Sequence, residues 1–220
     1  MKLPKIFTIE EARKEQERLR KKVSIMPFPK EPRFVAGVDA AFGADRVFAA
    51  ACLYRFPELV LVEQRSVVQK LLFPYVPGFL SLREGPAIIA AINELSRAPD
   101  LILADGQGIA HPRGIGVASY IGVLLGIPAI GCAKSRLIGD CEEPGLKKGS
   151  WSPLRVNGNV IGAVLRTRDS VRPLFVSPGH KADVASAVRL TLSCTVAYRI
   201  PEPLRCADML SKSICKSERA

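Results

Sequence analysis

Three carboxylates in this chain are placed where a side chain serving structure alone would more naturally be small or apolar. Asp39 follows the apolar run Phe34 to Val38, Asp105 follows Leu101 to Ala104, and Glu84 lies in Ser81-Leu82-Arg83-Glu84-Gly85. Two acids at strand ends with a third from a neighbouring element suit a hard divalent cation, because Mg²⁺ takes oxygen ligands and keeps waters for phosphate chemistry. Each acid alone also has an ordinary explanation. Asp commonly caps helices and closes turns, and Glu84 could answer Ser81 in a capping box.

The only two histidines, His111 and His180, sit in turn-like settings, Ala110-His111-Pro112-Arg113 and Pro178-Gly179-His180. Either could simply satisfy turn backbone. A helix beginning just after His180 would present its positive end and favour the neutral imidazole that metal ligation or proton transfer needs. Asp105-Gly106-Gln107-Gly108 has neither the Gly-x-Gly-x-x-Gly order of a dinucleotide site nor the Lys-Ser/Thr of a P-loop. Its glycines permit close backbone approach, as a slot for a flat base or as a tight turn. Tyr75, bracketed by Pro74 and Pro77, is open to the same two kinds of reading: a rigid wedge between bases, or a buried ring. Lys134, Arg136, Lys147 and Lys148 are placed to flank a substrate rim, and Lys21, Lys22, Lys30 and Arg33 precede the first strand. A subset of such cations meets phosphates in nucleic-acid-binding proteins.

The elements that must position these groups are legible from spacing. Thr8 and Glu11 form a capping-box signature ahead of a charged helix that the stretch Pro27 to Pro32 ends. Three strand-like runs follow, Phe34 to Val38, Val47 to Tyr54 and Leu59 to Leu72, and their short connections predict antiparallel pairing with an exposed charged edge. After the rigid loop Pro74 to Gly78, a helix is predicted from Pro86 to Leu95 with Pro in its first turn. A strand over Leu101 to Ala104, a helix over Val117 to Leu125 stopped by Gly126, and a strand over Ile130 to Ala133 come next. Asn157-Gly158-Asn159 joins a hairpin of Trp151 to Val156 and Val160 to Arg166. Leu174 to Val176 then leads through Ser177-Pro178-Gly179-His180 into a helix over about Ala182 to Val196, and a short helix with a frayed basic end follows Pro203. This order predicts an α/β fold, a mixed central β-sheet flanked by helices, in one domain spanning residues 1–220. Adjacent placement of the strands ending in Asp39 and Asp105 would bring both acids to one rim.

The composition bounds the function. With 220 residues, 48% apolar and 24% charged, the chain has ample core for one folded domain. Its net charge of +11 favours a polyanionic partner. No apolar run reaches the length of a spanning helix, and the charged stretch Met1 to Lys22 argues against a secretory leader, so a soluble cytoplasmic protein with no membrane partner is expected. Six cysteines with neither Cys-x-x-Cys pairs nor zinc-finger spacing are expected to be reduced thiols, mostly core fillers.

The assembled strings resemble the endonuclease V family, nucleases that repair deaminated bases. They are Gly37-Val38-Asp39, Pro74-Tyr75-Val76-Pro77-Gly78 running into Arg83-Glu84-Gly85-Pro86, Asp105 to Arg113 (DGQGIAHPR), Ala133-Lys134-Ser135-Arg136-Leu137, Ser177 to Asp183 (SPGHKAD) and Arg199-Ile200-Pro201-Glu202-Pro203. They cover nearly the whole chain in order. The resemblance implies an RNase H-like fold and a Mg²⁺-dependent endonuclease, tolerant of Mn²⁺ and monomeric by default. Such an enzyme recognises hypoxanthine in DNA, and in some members inosine in RNA, and cuts the second phosphodiester bond on the 3′ side, leaving a 3′-hydroxyl and a 5′-phosphate. Carried over by position, Asp39, Glu84 and Asp105 would hold metal, His180 would assist there, and Lys134 would sit near the scissile phosphate. Tyr75 with Pro74, Val76 and Pro77 would form a strand-separating wedge. Gly78, Leu80, Gly106, Gly108, Val117 and Leu137 would line the pocket for the flipped base, with His111 beside it. Tyr120 stands where some relatives carry His, and no catalytic role is given to it. A binding protein without hydrolysis and a junction or hybrid nuclease of the same fold are the competing classes.

Overall fold

The computed structural model describes residues 8–28 and 30–218. Met1 to Phe7, which belong to the leader argument, Pro29 of the proline-rich stretch and the last two residues of the basic tail lie outside them. Helix α1 (Ile9–Arg20) starts where its cap predicts: Thr8 Oγ1 accepts from Glu11 N at 3.1 Å, and Glu11 Oε2 accepts from Thr8 N at 2.9 Å. Two of the unpaired amides at the helix start are thereby satisfied. Next come β1 (Phe34–Phe42), β2 (Arg46–Arg55) and β3 (Val60–Lys70), antiparallel in sequence, with β3 at the exposed edge.

Helix α2 (Leu80–Asn93) begins six residues ahead of the predicted start at Pro86. Pro86 cannot donate to the Leu82 carbonyl, yet the turn before it persists because Ser81, Leu82 and Glu84 are buried. Tertiary packing outweighs the local break and places Glu84 on an inward helix face. Then follow β4 (Leu101–Asp105), α3 (Val117–Leu125) with Gly126 at φ 70° as its left-handed cap, and β5 (Ala129–Ala133). Strands β6 (Trp151–Val156) and β7 (Asn159–Leu165) are joined by Asn157 and Gly158, both at positive φ, which is the geometry a two-residue hairpin turn requires.

Strand β8 (Leu174–His180) runs four residues beyond the expected Leu174 to Val176, and α4 (Val184–Ser193) is capped by Asp183. Pro178 is tolerated because β7 pairs only as far as Val176, so no ladder bond on that side is lost. The tail after Pro203 is not short. It forms α5 (Glu202–Ser217), at 16 residues the longest helix among those described.

All eight strands form one mixed sheet in the order β3-β2-β1-β4-β5-β8-β7-β6, with β1, β4 and β5 parallel. Alternate residues face opposite layers. Ala36, Val38, Ile102 and Ala104 pack with α2 and α3, whereas Val35, Leu101, Leu103 and Ile130 pack with α4 and α5. Ile102 and Leu103, each 0% exposed, contribute about 1.5–3 kcal/mol apiece from burial. The odd-numbered residues of β1 and β4 face α5, and that parity carries Asp39 and Asp105 to the same side. No described helix is long and apolar enough to cross a membrane.

Candidate metal centre and adjoining cavity

Parallel pairing of β1 with β4 ends at Val38 opposite Ala104, so the next residue on each strand is an acid, Asp39 and Asp105. The adjacency expected from the sequence is present. Helix α5 brings a third, Asp208, and one ligand atom from each of these three lies within 4.8 Å of the others. Gly37 makes that approach possible: a methyl at this position would overlap the Pro203 backbone, so the glycine lets α5 lie directly on β1. Ser211, one turn beyond Asp208, donates its hydroxyl to Asp39 Oδ2 at 3.2 Å. Asp208 was missed from the sequence because its helix looked like a short basic tail. The spacing Asp208, Ser211, Lys212 on one helix face was the available signal.

Glu84 reaches the same rim from α2 and is 5% exposed. Its carboxyl is pushed well above the ordinary value, first by burial and then by Asp39 and Asp105. Asp39 is pushed up from 3.8 to about 7, by burial and then by repulsion from Asp105 and Asp208. Carboxylates crowded until they resist ionisation are a set that a hard cation relieves, and oxygen donors fit Mg²⁺ or Mn²⁺. Lys134, just past β5, supplies the nearest protein cation: its Nζ is ion-paired with Asp105 Oδ2 and lies 3.4 Å from Asp208 Oδ1. Asp208 is also held by Lys212 at 2.7 and 2.8 Å, and its carboxyl is pulled below the usual range by these two lysines against its own burial.

His180 does not join the cluster. It ends β8 opposite Ala129, at the start of β5, whereas Asp105 pairs with Cys132 near that strand's other end. Four residues of strand, about 13 Å, separate Ala129 from the rim at Ala133. Its Nδ1 accepts instead from the Ser24 amide at 3.2 Å, and burial together with Lys181 lowers its pKa. The expectation that His180 assists at the metal came from the family resemblance, and reading Pro178-Gly179 as a turn into a helix supplied only the argument for a neutral imidazole there. With those residues in a strand, the imidazole lies at the wrong end of the sheet.

Beside the acids lies a cavity of about 500 Å³ whose lining includes Asp39, Glu84, Asp105 and Lys134. Tyr75, Val76, Pro77, Gly78 and Leu80 form one wall, Gly106, His111 and Val117 another, and Arg136 and Leu137 a third. Gly106 adopts φ +136°, and a side chain there would meet Val117 Cγ1 at 2.7 Å, so glycine is required both for the turn and for the space. Gly108 is not a lining residue. A methyl on it would overlap the Pro178 carbonyl, and its amide donates to Ser177 Oγ at 2.8 Å; the glycine seats the loop on β8. Pro74 precedes the cavity wall without lining it. Lys147 and Lys148 are also away from the rim: they tie to Asp169, and Lys148 Nζ donates to the Thr195 carbonyl at 2.9 Å.

Tyr75 is 70% exposed, with the Arg83 guanidinium 5.7 Å from its ring centre, so the burial alternative for this ring does not apply. His111 is buried, and burial plus Arg113 push its pKa down to about 4. Its Nδ1 accepts from the Arg113 amide at 3.2 Å, which leaves the proton on Nε2, 3.1 Å from the Gly78 carbonyl. Tyr120 is 1% exposed against Gly85 and lines no part of the cavity. All six cysteines are unpaired.

Comparison with known proteins agrees with this fold. The sequence pattern of the Endonuclease V family matches residues 17–209. An endonuclease V from Trichormus variabilis is 50% identical over 210 residues, covering 94% of this chain and 95% of that one. The crystal structure of endonuclease V from Streptomyces avermitilis superposes with a TM-score of 0.94 at 42% identity, covering 98% and 96% of the two chains. Ciona intestinalis endonuclease V (D234N), solved in complex with a 23mer DNA containing an inosine followed by a ribo-adenosine, superposes with a TM-score of 0.84 at 27% identity, covering 96% and 98%. The RNase H-like α/β architecture, the rim of acids and the sequence kinship coincide: the chain belongs to the endonuclease V family.

Proposed function

We propose that this protein is a Mg²⁺-dependent endodeoxyribonuclease, able to use Mn²⁺, that recognises hypoxanthine in DNA. It hydrolyses the second phosphodiester bond 3′ to the lesion, leaving a 3′-hydroxyl and a 5′-phosphate. The carrying observation is the set of three aspartates within 4.8 Å at the lip of a cavity bounded by an exposed tyrosine. The inosine-containing DNA bound by the Ciona relative supports the choice of lesion. The proposed enzyme works as a monomeric single domain in the cytosol.

Asp39, Asp105 and Asp208 would hold the metal, with Glu84 adding negative charge from α2. When bound, that ion would supply Lewis-acid stabilisation of charge on the phosphate and lower the pKa of water. The residues do the rest. Lys134, whose Nζ is held beside Asp105 and Asp208 at the lip of the cavity, would be the cation placed to pair with a phosphate oxygen. Tyr75, at the tip of its proline-bracketed loop, fills the space an extruded base vacates. The cavity walls from Gly78 to Leu80, Gly106, Val117 and Leu137 exclude water around that base, and its extrusion costs a few kcal/mol, least where pairing is already weak. His111, neutral and committed to Gly78, shapes the wall rather than moving protons.

The test is a side-by-side nicking assay on inosine-bearing DNA, inosine-bearing RNA and undamaged controls, with and without Mg²⁺, and with cut positions mapped. Mg²⁺-dependent cleavage of inosine-bearing DNA between the 3′ neighbour of inosine and the nucleotide after it is expected. Retention of the lesion without any product, or equal cutting of undamaged duplex, overturns the reading.

A further inference from the structure

The loop that carries Tyr75 is anchored by a single carbonyl. Gly78 ends that loop at φ +80°, a conformation that turns its C=O back toward the body of the protein. Three donors converge on this oxygen: Gln16 Nε2 from α1 at 3.0 Å, His111 Nε2 at 3.1 Å, and Arg113 Nη2. The donors are themselves tied together. Arg113 Nε donates to Gln16 Oε1, and the Arg113 amide donates to His111 Nδ1 at 3.2 Å. A methyl at Gly78 would meet Arg113 Nη2 at 2.7 Å, so the glycine permits both the turn and the contact.

The same arginine closes the base of the loop. Its guanidinium stacks 4.1 Å from the centre of the Phe79 ring, and Phe79 packs against Phe73 with ring centres 6.0 Å apart. Phe73 and Phe79 are buried at 5% and 3% exposure, whereas Leu72 and Tyr75 between and beside them are 79% and 70% exposed. Both feet of the loop are therefore fixed and its tip projects into solvent. Gln16 is 0% exposed although it is polar and sits on a surface helix, and this clamp is what its buried amide serves. A buried amide at this depth would otherwise cost desolvation with no return.

We propose that Gln16 and Arg113 are positioning residues for strand separation: by locking the Gly78 carbonyl they preorganise the Tyr75 loop, so that a duplex is opened at the lesion without first ordering the wedge. This rests on the function proposed above. Ordering a loose loop during binding weakens binding by its conformational entropy, and preorganisation removes that cost. A wedge is needed only where a partner strand must be displaced, so the clamp matters for duplex and not for an unpaired strand.

The experiment compares cleavage efficiency (kcat/KM) on an inosine-bearing duplex and on the same strand alone, for the full chain, Arg113→Ala, Arg113→Lys, Gln16→Leu, Tyr75→Ala and the Arg113→Ala/Tyr75→Ala double variant. Removing a charge-assisted hydrogen bond to the clamped carbonyl is expected to lower the duplex-to-single-strand ratio about tenfold or more. The loss should appear mainly in KM. Arg113→Lys, which keeps a charge and one donor but cannot bridge Gln16 and Gly78 as the planar fork does, is expected to recover part of the ratio. The double variant is expected to be no worse than the poorer single variant, because a loose loop and a missing tyrosine remove the same step. Equal losses on duplex and single strand, or additive effects with Tyr75→Ala, overturn the clamp. Gln16→Leu, close in volume and uncharged, keeps the test decisive should Arg113→Ala fold poorly. A wild-type chain that cuts neither substrate refutes the proposed function itself, whereas a competent wild type with unaffected variants refutes the clamp alone.

Discussion

Neutralising Asp39 should make the metal-free protein more stable while destroying its chemistry, and the size of the effect follows from the crowding of the acids. Burial, then Asp105 and Asp208, raise the Asp39 carboxyl from 3.8 to about 7. That gap is about three tenfold steps in proton affinity, or about 4 kcal/mol at about 1.36 kcal/mol each. The folded state binds this proton more tightly than the unfolded state does. The group's contribution is therefore complete below the unfolded pKa of 3.8 and is lost as pH rises through about 7. In a chelator, wild-type stability should fall by up to about 4 kcal/mol from this group between acidic and mildly alkaline pH.

Asp39→Asn keeps the side-chain shape and an acceptor for the Ser211 hydroxyl, which lies 3.2 Å from Oδ2, but carries no charge to repel its neighbours. At pH 8 in chelator it should be about 2–4 kcal/mol more stable than wild type, a rise of roughly 5–15 °C in Tm for a domain of this size. Near pH 4 the difference should vanish. The assay is thermal unfolding of both proteins in chelator across that pH range, repeated with Mg²⁺ in excess. Added Mg²⁺ should raise the wild-type Tm and leave the variant nearly unmoved, since only a ligand that prefers the folded state stabilises it. Parallel pH profiles for the two proteins, or equal responses to Mg²⁺, would refute the assignment of Asp39 to a strained cation site.

Asp105→Asn and Asp208→Asn should each reduce Mg²⁺-dependent nicking of an inosine duplex to background while retention of that duplex in a gel-shift assay persists, because the acids lie at the lip of the cavity rather than along the wedge. Tyr75→Ala should weaken binding to an inosine duplex more than to undamaged duplex, as measured by competition titration, because its exposed ring is spent on the opened lesion. Raising salt from about 50 to 200 mM should weaken duplex binding several-fold or more if a handful of phosphates are contacted, and an affinity flat in salt would contradict a phosphate-binding role for the +11 charge. Gly108→Ala should give little folded protein by circular dichroism and yield, since the added methyl overlaps the Pro178 carbonyl and neither strand nor loop has room to retreat.

What the sequence made legible was whatever local pattern and strand adjacency together determine. Asp39 and Asp105 each close an apolar run, and parallel pairing of those runs, Val38 opposite Ala104, is enough to bring the acids together. The hairpin at Asn157-Gly158 and the Thr8 cap were readable because their chemistry is confined to two to four neighbouring residues. Asp208 was harder to read, since the Asp208, Ser211, Lys212 spacing within α5 says nothing of what that face meets; its role depends on Gly37, some 170 residues earlier, permitting the helix to lie on β1. His180 was misplaced for the converse reason. Pro178-Gly179 looks like a chain break locally, but at a strand end where β7 has stopped pairing the proline loses no hydrogen bond.

These two cases share a physical cause that also explains the buried Gln16. Local rules describe what a segment prefers when only its own backbone is considered, and the site is assembled where three segments press closely enough for those preferences to be overruled. A polar residue at 0% exposure on α1, a glycine under α5 and two acids, Asp39 and Glu84, resisting ionisation each look unfavourable in isolation. They become intelligible together, because α1 fixes the loop that faces the cavity, α5 completes the cation site, and the repulsion among the acids is what a bound ion would discharge. Stability given up at that rim is recoverable by ligand binding, so the least stable part of the metal-free protein and the part that does its chemistry should be one and the same.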